Sequence, residues 1–248
     1  MCHIIIQSSI ATVLKTGDKM KITKLDKPYP AIAIDDFIPP ALLRAASNSF
    51  PNLDWDGWYT YNGNTSSNTA FKKTTRDRQS IAIPALAALD YISTHFDPTE
   101  HFKDFGIDVN VFPDFGYYGA GMHVLPKKGF LGMHLDTDIH GGNKIWTREY
   151  SAVLCVSEEY DSSFDLILHD GNKTHGRVPY KFNRLNVFKC SNATFTYKHE
   201  YESWHGIPNP ITSGMIRKTL PVFYWSTNDA NIKGRRTRAY FRNDLVFD

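Results

Sequence analysis

The stretch "GFLGMHLDTDIH" (residues 129–140) decides how the chain is read. It sets His134, Asp136, Asp138 and His140 at every second position, with Leu135, Thr137 and Ile139 between them. In an extended strand alternate side chains leave the same face, so the spacing predicts that all four point together. Two imidazoles and two carboxylates gathered on one face are costly to bury unless something binds them, and a cation suits them. His134 and Asp136, as H-x-D, are the first two candidate ligands, and a third must come from elsewhere.

Downstream lie His169, His175, His199 and His205. His169 in "LILHDG", His175 in a Gly/Asn/Lys-rich turn and His199 after a lysine all read as surface residues. His205 stands apart in "SWHGIPNP", where Trp204 gives cover and Gly206 allows close backbone approach. Two histidines and one aspartate form the facial triad that binds Fe(II) and leaves coordination positions open. A closed structural zinc site would call for four protein ligands, usually including cysteine, and none lies near. H-x-D alone arises often by chance, so the residues after His205 carry more weight. Arg217 and Thr219 in "IRKTLPVFYW" share one strand face among large apolar residues. A guanidinium facing a β core needs an anion and pairs with a carboxylate through two parallel hydrogen bonds, to which Thr219 can add a hydroxyl. A metal with open positions beside a carboxylate clamp outlines a cosubstrate site.

The surroundings are those of an ordinary globular chain. Of 248 residues, 42% are hydrophobic and 22% charged, and the 14% aromatic content suits a β-rich interior. A formal charge of +2 is too small to argue for nucleic acid or a membrane as partner. The basic run "KGRRTRAYFR" (233–242) reads as a solvated tail. Cys2, Cys155 and Cys190 offer no disulfide framework, which favours a reducing, cytoplasmic setting. No apolar run approaches the ~18 residues of a membrane span. The opening "MCHIIIQSSIATVL" lacks the basic start of a secretion signal, and residues 1–19 are expected to be dispensable.

Local signals predict a strand over "PAIAIDDF" (30–37) at a sheet edge, then a helix whose first turn holds Pro39 and Pro40. Residues 55–80 read as a loop or lid, residues 83–96 as a second helix, and a shorter helix follows Pro98. From residue 109, eight short β-type runs at close spacing predict a barrel or sandwich.

The order H-x-D, distal His, then Arg with Thr two residues later resembles the Fe(II)- and 2-oxoglutarate-dependent oxygenases, and within them the prolyl 4-hydroxylase-like branch. "PYPAIAIDDFIPPALLRA" (28–45), "YYGAGMHVLPKKGFLGMHLD" (117–136) and "RLNVFKCSNATFTYKHEYESWHGIPNP" (184–210) extend the likeness over roughly residues 28–227. The resemblance implies a mainly β fold with flanking helices, a double-stranded β-helix (jelly-roll, cupin-like) core. It divides the chain into an N-terminal extension (1–27), the dioxygenase domain with its helical buttress (28–227) and a basic C-terminal segment (228–248).

It further implies Fe(II) held by His134, Asp136 and His205, with 2-oxoglutarate and O2 as cosubstrates and ascorbate as an optional reductant. Arg217 and Thr219 would take the far carboxylate of 2-oxoglutarate. The tyrosine that many relatives carry before the first ligand falls on Leu125 here, so His123 or Tyr118 is expected to substitute. Asp138 and His140 are expected to support the ligands, to face substrate, or to lie on the surface. Arg148 would face the substrate channel or form an ion pair on its rim. In "SSFDLILHD", Ser163 and Phe164 replace two glycines and His169 a tryptophan, which suggests a different substrate rather than lost activity. Asp136, where a small residue would free a position for chloride, favours hydroxylation over halogenation. The expected substrate is a prolyl residue of a peptide or protein. A free amino acid or other small molecule is an alternative, as is a metalloenzyme or binding protein that uses the same barrel without 2-oxoglutarate.

Overall fold

The computed structural model describes residues 20–62, 68–190, 202–227 and 235–245. The chain opens with strands β1 (Ile22–Leu25) and β2 (Ala31–Ile34), helix α1 (Pro40–Asn48) and strands β3 (Tyr59–Asn62) and β4 (Thr69–Thr74). Helices α2 (Ile83–His95) and α3 (Pro98–Phe102) lead into β5 (Phe112–Pro113) and β6 (His123–Leu125). Next come β7 (Phe130–Leu135), β8 (Trp146–Cys155), β9 (Leu166–His169), β10 (Thr174–Val178) and β11 (Leu185–Lys189). The last strands are β12 (Trp204–Ile207), β13 (Arg217–Thr227) and β14 (Tyr240–Phe241).

All the described strands join one antiparallel sheet in the order β1-β2-β11-β8-β13-β6-β4-β7-β12-β9-β10, with β3, β5 and β14 attached to β4, β13 and β7. The sheet curls until β8, β11 and β13 share a cavity with β7, β9 and β12. This is the jelly-roll core expected from the sequence.

Two-residue alternation assigns each face of the curl its task. Tyr150, Ala152 and Leu154 of β8, Leu185 and Val187 of β11, and Leu220, Val222 and Tyr224 of β13 turn outward into the main core. Register places Leu220 and Leu185 on either side of Leu154, and Val222 and Val187 on either side of Ala152. Helices α1 and α2 cover this layer with Leu43, Ala46, Ala85, Ala88, Leu89 and Ile92, the three- and four-residue spacing of one helical stripe. Both helices carry a first-turn proline, where the missing N–H would have no partner in any case. The Tyr224 hydroxyl donates to the carbonyls of Ile92 (3.2 Å) and Phe96 (3.1 Å), tying β13 to the end of α2. The intervening residues Ser151, Val153, Asn186, Phe188, Arg217 and Thr219 turn inward and line the cavity.

Several expectations are corrected. The strand read as an edge is internal: β2 lies between β1 and β11 with all four residues buried, because residues 22–25 supply the outer strand. Residues 55–80 are more than a loop, since β3 and β4 form a hairpin and β4 pairs with both β6 and β7. The Thr and Tyr content of "YTYN" and "TAFKKT" favours strands despite the polar composition around it. The basic C-terminal run is no free tail: β14 pairs with β7, and Arg236 binds the buried Asp138. Strands β5 and β10 were not expected, and β10 takes up His175. The strand expected at "TFTYKHE", His199 within it, and residues 1–19 lie outside the described residues. No helix among the described residues is long and apolar enough to cross a membrane.

A compact ion cluster fastens β2 to β11. Buried Asp35 accepts from Arg184 Nε (2.6 Å) and Nη2 (3.1 Å) and from Lys181 Nζ (3.0 Å). The hydrogen bond from Arg184 above all, then that from Lys181, holds the carboxyl below its ordinary range although burial opposes this. Its stabilising contribution is therefore full above the unfolded pKa of about 4 and is lost as pH falls through the lower folded value. Asp35→Asn should cost roughly 2–3 kcal/mol in urea unfolding at pH 7, and the gap to the parent should close below about pH 4. A gap unchanged at low pH would contradict this assignment.

Candidate metal and cosubstrate site

Strands β7 and β12 run side by side with His205 directly opposite His134. Their imidazole centroids are 4.3 Å apart. Gly206 makes the approach possible, since a Cβ there would meet the carbonyl oxygens of Gly132 and Leu131 at 2.8 Å. Asp136 lies just beyond the end of β7, with carboxylate oxygens 3.7 Å from His134 Nε2 and 3.8 Å from His205 Nε2. The three candidate ligand atoms lie within 4.8 Å of one another.

The protonation pattern follows from the backbone. His134 Nδ1 lies 2.9 Å from the Gly132 carbonyl, and His205 Nδ1 lies 2.8 Å from that of Ser203. A carbonyl can only accept, so each Nδ1 carries the proton and each Nε2 turns a lone pair toward Asp136. Burial, then the neighbouring His134, lowers His205 to about 4, which keeps it neutral near pH 7. Burial pushes the Asp136 carboxyl up, but the charge of Arg148 above all, with the two imidazoles beside it, holds it well below the usual carboxylate range. Arg148 Nη1 forms an ion pair with one oxygen at 3.1 Å and Ser151 Oγ donates to the other at 2.7 Å, which fixes the carboxylate's plane. Two imidazole lone pairs and one oriented carboxylate fit a divalent cation of the Fe(II) kind with positions left over.

The same cavity runs to Arg217, which is 6% exposed at the start of β13. Its Nε donates to the Phe164 carbonyl at 2.9 Å, and its guanidinium lies 5.3 Å from the Tyr180 ring. Among the described residues no acidic side chain forms an ion pair with it. Thr219 and His123, paired across β13 and β6, line the cavity as well. His123 Nε2 and Asn186 Oδ1 are buried there without a hydrogen-bond partner among the described residues. A buried cation and unsatisfied polar atoms around an open space describe a receptor for an anionic, hydrogen-bonding molecule.

Not every expected residue joins this group. The four alternate residues of the opening stretch do not converge, because β7 stops at Leu135 and strand alternation lapses with it. Asp138 is 1% exposed and accepts from Arg236 Nη2 (2.6 Å) and Arg236 N (2.7 Å). Its carbonyl accepts the Arg148 N–H at 2.8 Å, so it helps place Arg148. His140 Nε2 donates to Asp114 (3.1 Å), while its Nδ1 accepts from the N–H groups of Gly142 and Asn143. Tyr118, 52% exposed, lines an outer cavity above the metal ligands and does not line the one holding Arg217. His169 is fully buried rather than on the surface, opposite Trp204, with Nδ1 accepting from Gly171 N. His175 binds Asp170 at 2.5 Å on β10.

Sequence reasoning missed three contributors. Ser151 follows from the alternation of β8 once its outward residues are known. Phe241 of β14 stacks on the His134 ring (5.0 Å, 20°), a contact between strands more than a hundred residues apart that no local pattern announces. Lys72 of β4 reaches both cavities from a run whose two lysines look alike. Ser151→Ala should weaken Ni(II) or Fe(II) binding about tenfold in calorimetric titration, with stability little changed. Unaltered affinity would show that the Ser151 bond does not orient Asp136.

No protein-family model and no curated protein matches the chain. Solved structures do. A viral collagen prolyl hydroxylase from Paramecium bursaria Chlorella virus-1, in its 2-oxoglutarate complex, superposes with TM-score 0.52 at 12% identity, over 79% of this chain and 96% of that one. A Trichoplax adhaerens prolyl hydroxylase bound to a hypoxia-inducible-factor peptide fragment gives 0.50 at 15% identity, over 79% and 83%. A prolyl-4-hydroxylase from Pseudomonas putida gives 0.47 at 18% identity, over 80% and 92%. The chain has the double-stranded β-helix fold of prolyl hydroxylases and related 2-oxoglutarate oxygenases.

Proposed function

We propose that the chain is an Fe(II)- and 2-oxoglutarate-dependent dioxygenase that hydroxylates a C–H bond, with a prolyl residue of a peptide or protein as the substrate. The observation that carries this reading is a buried Arg217, without an acidic partner among the described residues, in the same cavity as the His134–Asp136–His205 cluster. A metalloenzyme that did not use 2-oxoglutarate would have no need to bury that charge.

In this reading His134, Asp136 and His205 hold the iron. Arg217 binds the far carboxylate of 2-oxoglutarate through its outer nitrogens, and Thr219 adds a hydroxyl donor. His123 offers its unsatisfied Nε2 to the cosubstrate. Arg148 keeps Asp136 ionised and oriented while Asp138 holds Arg148 in place. Tyr118 stands at the mouth, where substrate enters. Iron with bound 2-oxoglutarate supplies O2 activation, with succinate and CO2 as by-products. The apolar walls, Leu125, Leu131, Val153 and Phe188, keep water from the reacting centre. Ascorbate would serve as reductant. The prolyl assignment draws on the peptide held by the Trichoplax neighbour.

We also place the protein in a reducing cell interior, because Cys155 and Cys190 are buried free thiols. A thiol count on protein purified without reductant should find all three cysteines free, and a disulfide would contradict the assignment.

Anaerobic addition of Fe(II) and 2-oxoglutarate should produce a weak visible charge-transfer band. Arg217→Ala should raise the 2-oxoglutarate concentration needed for it by roughly ten- to a hundredfold, with metal affinity retained. His134→Ala should remove metal and band together. Under oxygen, proline-containing peptides should gain the mass of one oxygen with matching succinate release. Metal binding with no band would exclude the 2-oxoglutarate reading and leave another metalloenzyme on this barrel.

A further inference from the structure

The outer cavity carries a charge that this chemistry does not use. It opens above His134 and Asp136, with a volume of about 440 Å³, room for a small molecule or one peptide segment. Among the described residues, Lys72, Arg148 and Arg238 line it against one acidic side chain, Asp136. Asp136 is already taken by Arg148, Ser151 and the metal position. Lys72 faces both cavities, and its ammonium lies 5.5 Å from the Tyr61 ring. Among the described residues it forms no hydrogen bond and no ion pair. Burial lowers it to about 8, which leaves it largely charged near pH 7. The indole N–H of Trp225, 1% exposed in the same wall, is also buried without a partner among the described residues.

The backbone brings Lys72 to this place at a conformational cost. Residues 69 and 70 of β4 pair with β7, whereas residues 73 and 74 pair with β6. Between the two halves Phe71, half exposed, takes φ +55°, a region that aromatic residues seldom occupy. The strand changes partner at that point, and Lys72 follows directly. Strain retained beside a cavity is a common mark of function.

We propose that Lys72 is a substrate-recognition residue that binds a carboxylate of the molecule to be hydroxylated, holding it beside the metal. The proposal rests on the oxygenase reading above and narrows its substrate to a carboxylate-bearing one. That carboxylate belongs either to a free acid or to an acidic side chain of a peptide, and both present the same group to the ammonium.

The test uses full-length protein loaded anaerobically with Fe(II) and saturating 2-oxoglutarate, with the visible band as the readout. At constant ionic strength, acetate should shift the band saturably and acetamide should not. Lys72→Met should weaken acetate binding at least about tenfold, and Lys72→Arg should recover most of it. The concentration of 2-oxoglutarate needed for the band should not change in either variant. N-acetyl-L-proline binding more tightly than the amide-capped dipeptide N-acetyl-Asp-Pro would identify a free acid as the source, and the reverse order a peptide side chain. Equal responses to acetate and acetamide, or parental acetate binding in Lys72→Met, would overturn the assignment. So would a Lys72→Met protein that loses 2-oxoglutarate, which would make Lys72 a cosubstrate residue. A parent that binds metal but forms no band fails at the oxygenase reading itself, whereas a band indifferent to acetate fails at Lys72 alone.

Discussion

The structure depends on one register, that of β12 against β7. Setting His205 opposite His134 brings two imidazoles together across a single ladder, and a slip of one residue would turn one of them to the far side of the sheet. Gly206 protects that register, because the backbone carbonyls of β7 occupy the space a side chain would need. The rest of the centre is built outward from this pair. Gly132 and Ser203 set the protons on the imidazoles, Asp136 sits just past the strand end, and Arg148 with Ser151 fixes its oxygens. Phe241 then covers the His134 ring from a strand contributed by the far end of the chain.

A polar interior of this kind needs a firm backing. Strands β8, β11 and β13 supply it by dividing their residues between a helix-covered apolar layer and an inward polar one. The apolar layer stabilises the fold, while the inward residues need only be held in place. A long strand such as β13 therefore serves both tasks at once, with Leu220 and Val222 buried in the core and Arg217 and Thr219 presented to the cavity.

Much of this was legible in the sequence, for physical reasons that can be named. His134, Asp136, His205, Arg217 and Thr219 lie on or beside strands whose alternation shows in the chain, and the structure brings all five to one cavity. Helices α1 and α2 announced themselves through their first-turn prolines and apolar spacing. Asp138 and His140 misled because the alternation argument was carried past the end of β7, where turns direct each side chain separately. The C-terminal run misled because charge implies solvent only until a buried acid such as Asp138 calls for it. Lys72 stayed hidden because its neighbour Lys73 has the same chemistry and instead meets Thr60. Only the pairing of β4 with two different strands tells the two lysines apart.

The most direct test of the account is a crystal structure of the protein prepared anaerobically with Fe(II) and 2-oxoglutarate. Metal density is expected on His134 Nε2, His205 Nε2 and an Asp136 oxygen, with 2-oxoglutarate in the inner cavity and its far carboxylate on Arg217. Metal bound elsewhere, or 2-oxoglutarate lying in the outer cavity with Arg217 unengaged, would contradict it.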